Sequence, residues 1–176
     1  NSNDSNLTPN ITAGNIVCSW KSNNGLPNTF VGGVNTISTE VATVVSATST
    51  YYDLAGTYTT SNLQHFDSPA NGQLRHLGNN PREFKVIADL AIDSGANNDL
   101  KVKVVKYDAS TTSFVDVLEQ ARQVNSLSGG RDVAFFTIFT YVELDKNDYV
   151  KLQVENNTNT DNVTAELDSF FIVEER

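Results

Sequence analysis

The 176-residue chain carries 12 Lys and Arg against 21 Asp and Glu, a formal net charge of -9. That surplus repels phosphate backbones and anionic lipid surfaces, and no basic cluster reverses it, which argues against nucleic acid and membrane insertion. The length suits one domain with a single core, the lone cysteine, Cys18, cannot form an intrachain disulfide, and no run approaches the roughly 18 to 20 apolar residues of a membrane-spanning helix.

Without a methionine anywhere, Asn1 is read as the start of a processed product or of an excised piece. Residues 1–14 are polar and turn-forming, with too little apolar surface to offset the entropy of ordering, and are expected to be a linker or the end of a stalk. One domain is expected over residues 15–176. There, runs rich in Val, Ile, Thr, Phe and Tyr alternate with Asn, Gly, Asp and Ser, the pattern of short antiparallel strands. The expected strands are Ile16–Lys21, Thr29–Val34, Glu40–Ala47, Asn62–Asp67, Gln73–Leu77, Glu83–Asp93, Leu100–Tyr107, Ser113–Leu118, Val133–Leu144, Tyr149–Glu155 and Val163–Glu174. Between Val117 and Val124 the spacing of Leu118, Ala121 and Arg122 fits a helical turn, but the stretch is short and lacks strong caps, and it is read as strand or loop. So many strands, with no helical signal between them and no solenoid or propeller period, predict an all-β antiparallel sandwich or barrel.

Alternation then assigns faces. In Tyr149–Glu155, Val150, Leu152 and Val154 face in, while Tyr149, Lys151, Gln153 and Glu155 face water. Val86, Ala88, Leu90 and Ile92 form the inner face of a second strand, with Lys85, Asp89 and Asp93 opposite. Val133–Leu144 has no wet face. If Leu144 pairs with Val150 across the Asp145–Asp148 break, then Phe136, Ile138 and Val142 point into the core and Phe135, Phe139 and Tyr141 point out. In the last strand Leu167, Phe171 and Val173 are expected inside, and Phe170 and Ile172 outside. A monomer rarely leaves such a patch bare, so Phe135, Phe139, Tyr141, Phe170 and Ile172 are predicted to be covered by another subunit.

Candidate chemistry is sparse. His65 and His76 flank the turn over residues 67–72, and with Asp67 they fall short of the four ligands of a zinc or nickel site, so they are read as surface strand histidines. Asp93–Asp99 offers oxygen ligands suited to calcium without the EF-hand spacing. It is read as a hairpin turn, as are Asp145–Asp148 and Asn156–Asn162. Ser128-Gly129-Gly130 is not a nucleophile elbow, and no histidine lies near it in sequence. No catalytic residue, metal ligand or cofactor site is assigned, and no enzymatic activity is expected. Asn-x-Ser/Thr sequons begin at Asn3, Asn6, Asn10, Asn156 and Asn162, and they matter only on a eukaryotic secretory route. Trp20, Tyr51, Tyr52 and Tyr58 could stack on a sugar, although such residues more often serve core or interface.

Leu144-Asp-Lys-Asn-Asp-Tyr-Val-Lys-Leu152 resembles the Leu-x-x-Gly-Asp-x-Val-x-Leu hairpin of the tumour necrosis factor and complement globular-head jelly rolls. Asn147 stands where that family usually has Gly, and Asn tolerates the left-handed conformation better than most residues. The closing run Asp168-Ser-Phe-Phe-Ile-Val173 is similar to that family's aromatic last strand, without its usual Gly. Asn71-Gly-Gln-Leu-Arg-His-Leu-Gly78 and Arg82-Glu-Phe-Lys-Val-Ile-Ala-Asp-Leu90 resemble the version of the domain found in bacteriophage fibres and spikes. Asn97-Asn98 and the run from Val154 to Thr160 fit the same pattern. The resemblance covers Thr57 to Glu174. It implies a jelly-roll β-sandwich, a homotrimer packed through aromatic faces of its inner sheet, and a place on the virion surface or otherwise outside the cell. Its partners would be other virion proteins and a host cell-surface molecule, carbohydrate or protein. The loops at Asp93–Asp99, Asp108–Thr112 and Asn156–Asn162 are the recognition candidates. A secreted trimeric ligand, a carbohydrate-binding module and a capsid decoration protein are the alternatives.

Overall fold

Strands form wherever β-branched and aromatic residues alternate with polar ones. The computed structural model describes residues 10–12, 15–17, 31–127 and 131–176. In chain order the strands are β1 (Asn10–Thr12), β2 (Asn15–Val17), β3 (Gly32–Thr39), β4 (Ala42–Thr43), β5 (Tyr52–Asp53), β6 (Thr57–Gln64), β7 (Phe66–Asp67), β8 (Leu74–His76), β9 (Arg82–Asp93), β10 (Asp99–Asp108), β11 (Ser113–Gln123), β12 (Asn125–Leu127), β13 (Arg131–Leu144), β14 (Tyr149–Asn156), β15 (Val163–Ala165) and β16 (Phe170–Glu175). β1 and β2 pair with each other in a two-stranded sheet, so the expected boundary between linker and domain falls between these two strands in sequence.

The rest forms two antiparallel sheets. One runs β12-β13-β9-β16-β3-β6, with β15 bridging β9 and β4; the other runs β11-β10-β14-β8-β7, with β5 on β14. Their facing sides make one core. Phe84, Val86, Ala88, Ile92, Phe136, Ile138, Leu144, Phe171 and Val173 from the first sheet meet Leu74, Leu100, Val102, Val104, Val150 and Val154 from the second, all fully buried. Burying this apolar surface is the main stabilising contribution.

Several expectations need correcting. Leu144 does not pair with Val150: β13 pairs with β9, Leu144 opposite Arg82, whereas β14 pairs with β10, β8 and β5. Asp145–Asp148 is thus a corner that carries the chain from one sheet to the other. Residues 94–98, between β9 and β10, and 157–162, between β14 and β15, are corners too, where hairpin turns are expected. Turn-forming composition is the same in both cases; which sheet offers the next strand an edge decides between them.

The expected strand Val163–Glu174 is broken at residues 166–169, where Asp168 adopts φ 64°. The break leaves Leu167 exposed rather than in the core. β11 runs on to Gln123 and absorbs the stretch read as strand or loop, while only Ala42–Thr43 of the expected strand Glu40–Ala47 is extended. Lys151 and Glu155 are buried, although their face looks wet in the sequence. Their charges are held by Asp53 and Lys101 respectively.

Candidate self-association face

The outward side of the β13-β9-β16-β3 sheet is where the unexplained apolar residues gather. Register places Phe139 opposite Ile87, Ile87 opposite Ile172, and Ile172 opposite Val34. Residues directly opposite share a face, so these four make an apolar row across four adjacent strands. Phe139 is 53% exposed, Phe135 62% and Tyr141 42%, while Ile87, Phe170, Ile172 and Val34 are partly exposed. Phe139 and Tyr141 meet edge to face with ring centroids 5.3 Å apart.

One step along the strands lies the row Thr137, Asp89, Phe170, Thr36. There the Thr137 hydroxyl donates to Asp89 Oδ1 at 3.2 Å. On the other side, Tyr141, Lys85 and Glu174 share a row, with Lys85 ion-paired to Glu174. Arg176 pairs with Glu83 while its guanidinium lies 5.2 Å from the Tyr141 ring centre; the Arg82–Glu175 pair belongs to the other face, in register with core residues Leu144 and Phe84. An apolar centre with a charged rim is the layout of a protein–protein interface. Beside Phe135, the chain at Asp89, Ala91, Leu167 and Phe170 forms a shallow groove of about 180 Å³.

All five residues assigned from the sequence, Phe135, Phe139, Tyr141, Phe170 and Ile172, lie on this side of the sheet. Ile87 and Val34 were not assigned, yet they complete the row. The signal for Ile87 was an apolar residue at a position whose strand neighbours of the same parity, Lys85 and Asp89, are charged.

The remaining candidates are held by the fold. His76 is not on the surface: it is 1% exposed, with the Phe66 and Phe84 rings 5.4 and 5.0 Å away. His65 is exposed with φ 56°, and Asp67 is bound in both oxygens by Arg75. Among the described residues no three His, Cys, Asp or Glu side chains are grouped to hold a metal. The Tyr51 phenol bonds Glu119 and its ring lies 3.9 Å under Lys103 Nζ; burial, then Glu119, push its pKa up. Tyr52 bonds Ser46 at 2.8 Å and Tyr58 donates to the Leu54 carbonyl at 3.0 Å. Cys18, Trp20 and residues 128–130 lie outside the described residues.

No protein-family model and no curated protein matches the chain. Solved structures do. Eiger TNF from S. frugiperda aligns with a TM-score of 0.61 at 13% identity, over 84% of this chain and 92% of that one. Murine APRIL aligns with a TM-score of 0.55 at 7% identity, over 82% and 99%. The fold is a TNF-like jelly roll.

Within a TNF-like jelly roll the motif around Asn147 and Asp148 has a physical meaning. Asn147 takes φ 72°, the left-handed conformation for which Gly is otherwise the usual choice. Asp148, 1% exposed, accepts from Ala109 N at 2.9 Å, Asp145 N at 3.0 Å and Lys106 Nζ at 2.8 Å. One carboxylate thereby ties the corner to the β10–β11 loop.

The loops at 93–99 and 156–162 are locked to each other. Asn98 Nδ2 donates to Asp161 Oδ2 at 3.1 Å, Asn159 Nδ2 donates to Asn98 Oδ1 at 2.9 Å, and Ser94 Oγ donates to the Asn162 carbonyl at 3.1 Å. Both stand at the end of the sandwich opposite Val31 and Glu175, which are joined there by a 2.8 Å hydrogen bond. The 108–112 loop, a β10–β11 hairpin, lies at the Val31 end with the Asp148 corner.

Proposed function

We propose that the chain is the head domain of a homotrimeric virion structural protein, a phage fibre or spike, which attaches the particle to a host-surface molecule. The row Phe139, Ile87, Ile172, Val34 carries the reading, because it lies outside a core that is already complete. Solvent contact with such a row is unfavourable, and a second copy presenting the same residues removes it. Support for three copies comes from the TNF-like jelly roll, and for a virion setting from the resemblance of residues 71–78 and 82–90 to phage sequences. The continuous described part of the sandwich begins at Val31, and we place a stalk at that end. The interlocked loops at 93–99 and 156–162 would then face the host, and the 108–112 loop would lie toward the stalk.

A secreted trimeric ligand of cellular origin is the second reading, favoured by the likeness to Eiger TNF and APRIL. Both readings require the same assembly. Light scattering in dilute solution is expected to give about three times the 19.2 kDa chain mass; a clean monomer would overturn the proposal.

A further inference from the structure

Two of the five sequons lie where the surroundings of their side chains are described, and the fold treats them in opposite ways. Asn156 closes β14 and is 0% exposed. Its Nδ2 donates to Asn159 Oδ1 at 2.9 Å and to the Asp161 carbonyl at 3.2 Å, while its Oδ1 accepts from Thr158 N at 3.0 Å and Asn159 N at 3.3 Å. Both amide hydrogens and the carbonyl are therefore engaged, in a site with no room beside it. Asn162, six residues on, is exposed. Its Oδ1 accepts from Val45 N at 3.4 Å, and its Nδ2 bonds nothing among the described residues. Thr164 completes the sequon in β15.

We propose that the folded domain admits an N-glycan at Asn162 and forbids one at Asn156, a difference that comes into play only where the chain is made on a glycosylating route. The transfer takes its sugar from a lipid-pyrophosphate-linked oligosaccharide. A bond forms from Asn Nδ2 to C1 of the first sugar, the C1–O bond to the pyrophosphate breaks, the lipid pyrophosphate leaves, and the amide proton passes to a base on the transferase. At Asn162 the product keeps the carbonyl that Val45 uses and sends the sugar into solvent. At Asn156 it removes one of two donors and places a sugar ring inside the 156–162 corner, which the folded chain fills. An extended chain offers both sequons equally; folding then separates the chains that carry a glycan at one from those that carry it at the other.

This bears on the two readings of origin. A domain passing routinely through a glycosylating compartment loses chains to Asn156, whereas one made in a bacterial cytoplasm loses none. The test is to express the whole chain behind a cleavable signal peptide in a eukaryotic secretory host and map glycopeptides in the protease-resistant, folded fraction. Expected are a glycan on Asn162, none on Asn156, and loss of the Asn162 glycopeptide in Asn162→Gln. In addition, Thr158→Ala, which erases the Asn156 sequon and also the hydrogen bond that Thr158 Oγ1 accepts from Asp99 N at 2.8 Å, should raise the folded yield in that host relative to its effect in bacterial cytoplasm. A folded fraction glycosylated at Asn156, or unmodified at Asn162, overturns the inference, as does a Thr158→Ala effect on yield that is the same in both hosts. A folded monomer glycosylated at Asn162 alone leaves it standing and sinks only the self-association, so the two fail separately.

Discussion

The outward faces of the two sheets both carry aromatic rings, yet they differ in what surrounds them. On the β10-β14 face, Tyr107 stacks on Tyr149 with ring centroids 4.7 Å apart, and Phe114 meets both rings edge on. Lys151 lies 4.3 Å over Phe114 and pairs with Asp53, Lys103 covers Tyr51 and pairs with Asp116, and Lys101 reaches Glu119 and Glu155. The rings and charges of that face satisfy one another within one chain. On the β13-β9-β16-β3 face Phe139 lies among Ile87, Ile172 and Tyr141, no cation among the described residues covers its ring, and the ion pairs stand at one end only, beside Tyr141. Exposure alone says little about docking; whether exposed groups are already engaged says more.

The largest effect should come from Phe139→Asp. It places a carboxylate in the middle of the apolar row, and an uncompensated charge buried by association costs roughly 3–5 kcal/mol. Scattering mass should fall from about three chains to one. Because Phe139 lies outside the core, the monomer's own unfolding midpoint should move within about 0.5 kcal/mol. Unchanged mass would show that the row is not covered, and the contrast between the faces would lose its meaning.

Asp148→Ala should act the other way round. It strips a buried carboxylate from Lys106 and from two backbone amides, and breaking such a pair costs about 3–5 kcal/mol in denaturant unfolding. The corner it supports belongs to neither face, so folded protein should retain the parent stoichiometry. Dissociation at unchanged unfolding free energy would reverse the roles assigned to Asp148 and Phe139.

These assignments were unequally legible in the sequence. Alternation placed the outward aromatics of β13 and β16 correctly because both strands have one face in a core, and a two-residue period leaves no other orientation for Phe139 once Ile138 is inside. Pairing was not legible. Residues 94–98, 145–148 and 157–162 carry the Asn and Asp of ordinary hairpins, and local composition does not record which sheet the next strand joins. His76 was misplaced because the partners that bury it, Phe66 and Phe84, come from other strands. Lys151 and Glu155 were misplaced because Asp53 and Lys101 neutralise them from a distance in sequence, so a charged strand face could close over. The outward apolar face was legible only because Phe135, Phe139 and Tyr141 exceed what one core can use; Ile87 and Val34 stayed hidden until register placed them beside Phe139.

His76 gives a pH readout confined to the core both sheets share. Its pKa is lowered chiefly by burial, with the Arg82 charge and His65 adding to the effect, against hydrogen bonding to the Asp145 and Leu144 backbone. A base with a depressed folded pKa binds fewer protons folded than unfolded. Stability is therefore full above the unfolded histidine's pKa of about 6.5 and is lost as pH falls below it. Urea midpoints should drop between neutral pH and about pH 5 in the parent and less in His76→Gln. A parent and variant that fall in parallel would show that other groups set the acid limit, and that acid acts on the faces and not on their shared core.

The smallest effect should be that of Lys151→Met on the face we regard as closed. Asp53, its partner, is largely exposed, with 60% of its side chain accessible, and pairs of that kind contribute no more than about 1 kcal/mol. Methionine keeps most of the stem that packs on the sheet, so unfolding should shift within that limit, with part of the shift lost in high salt. Scattering mass should stay at the parent value. If removing this one cation instead makes the protein associate further, the β10-β14 face is held monomeric by its charges, and its rings are as ready to dock as those around Phe139. The difference between the faces would then lie in the ammonium groups above the rings, and Phe114 would become the residue to mutate next.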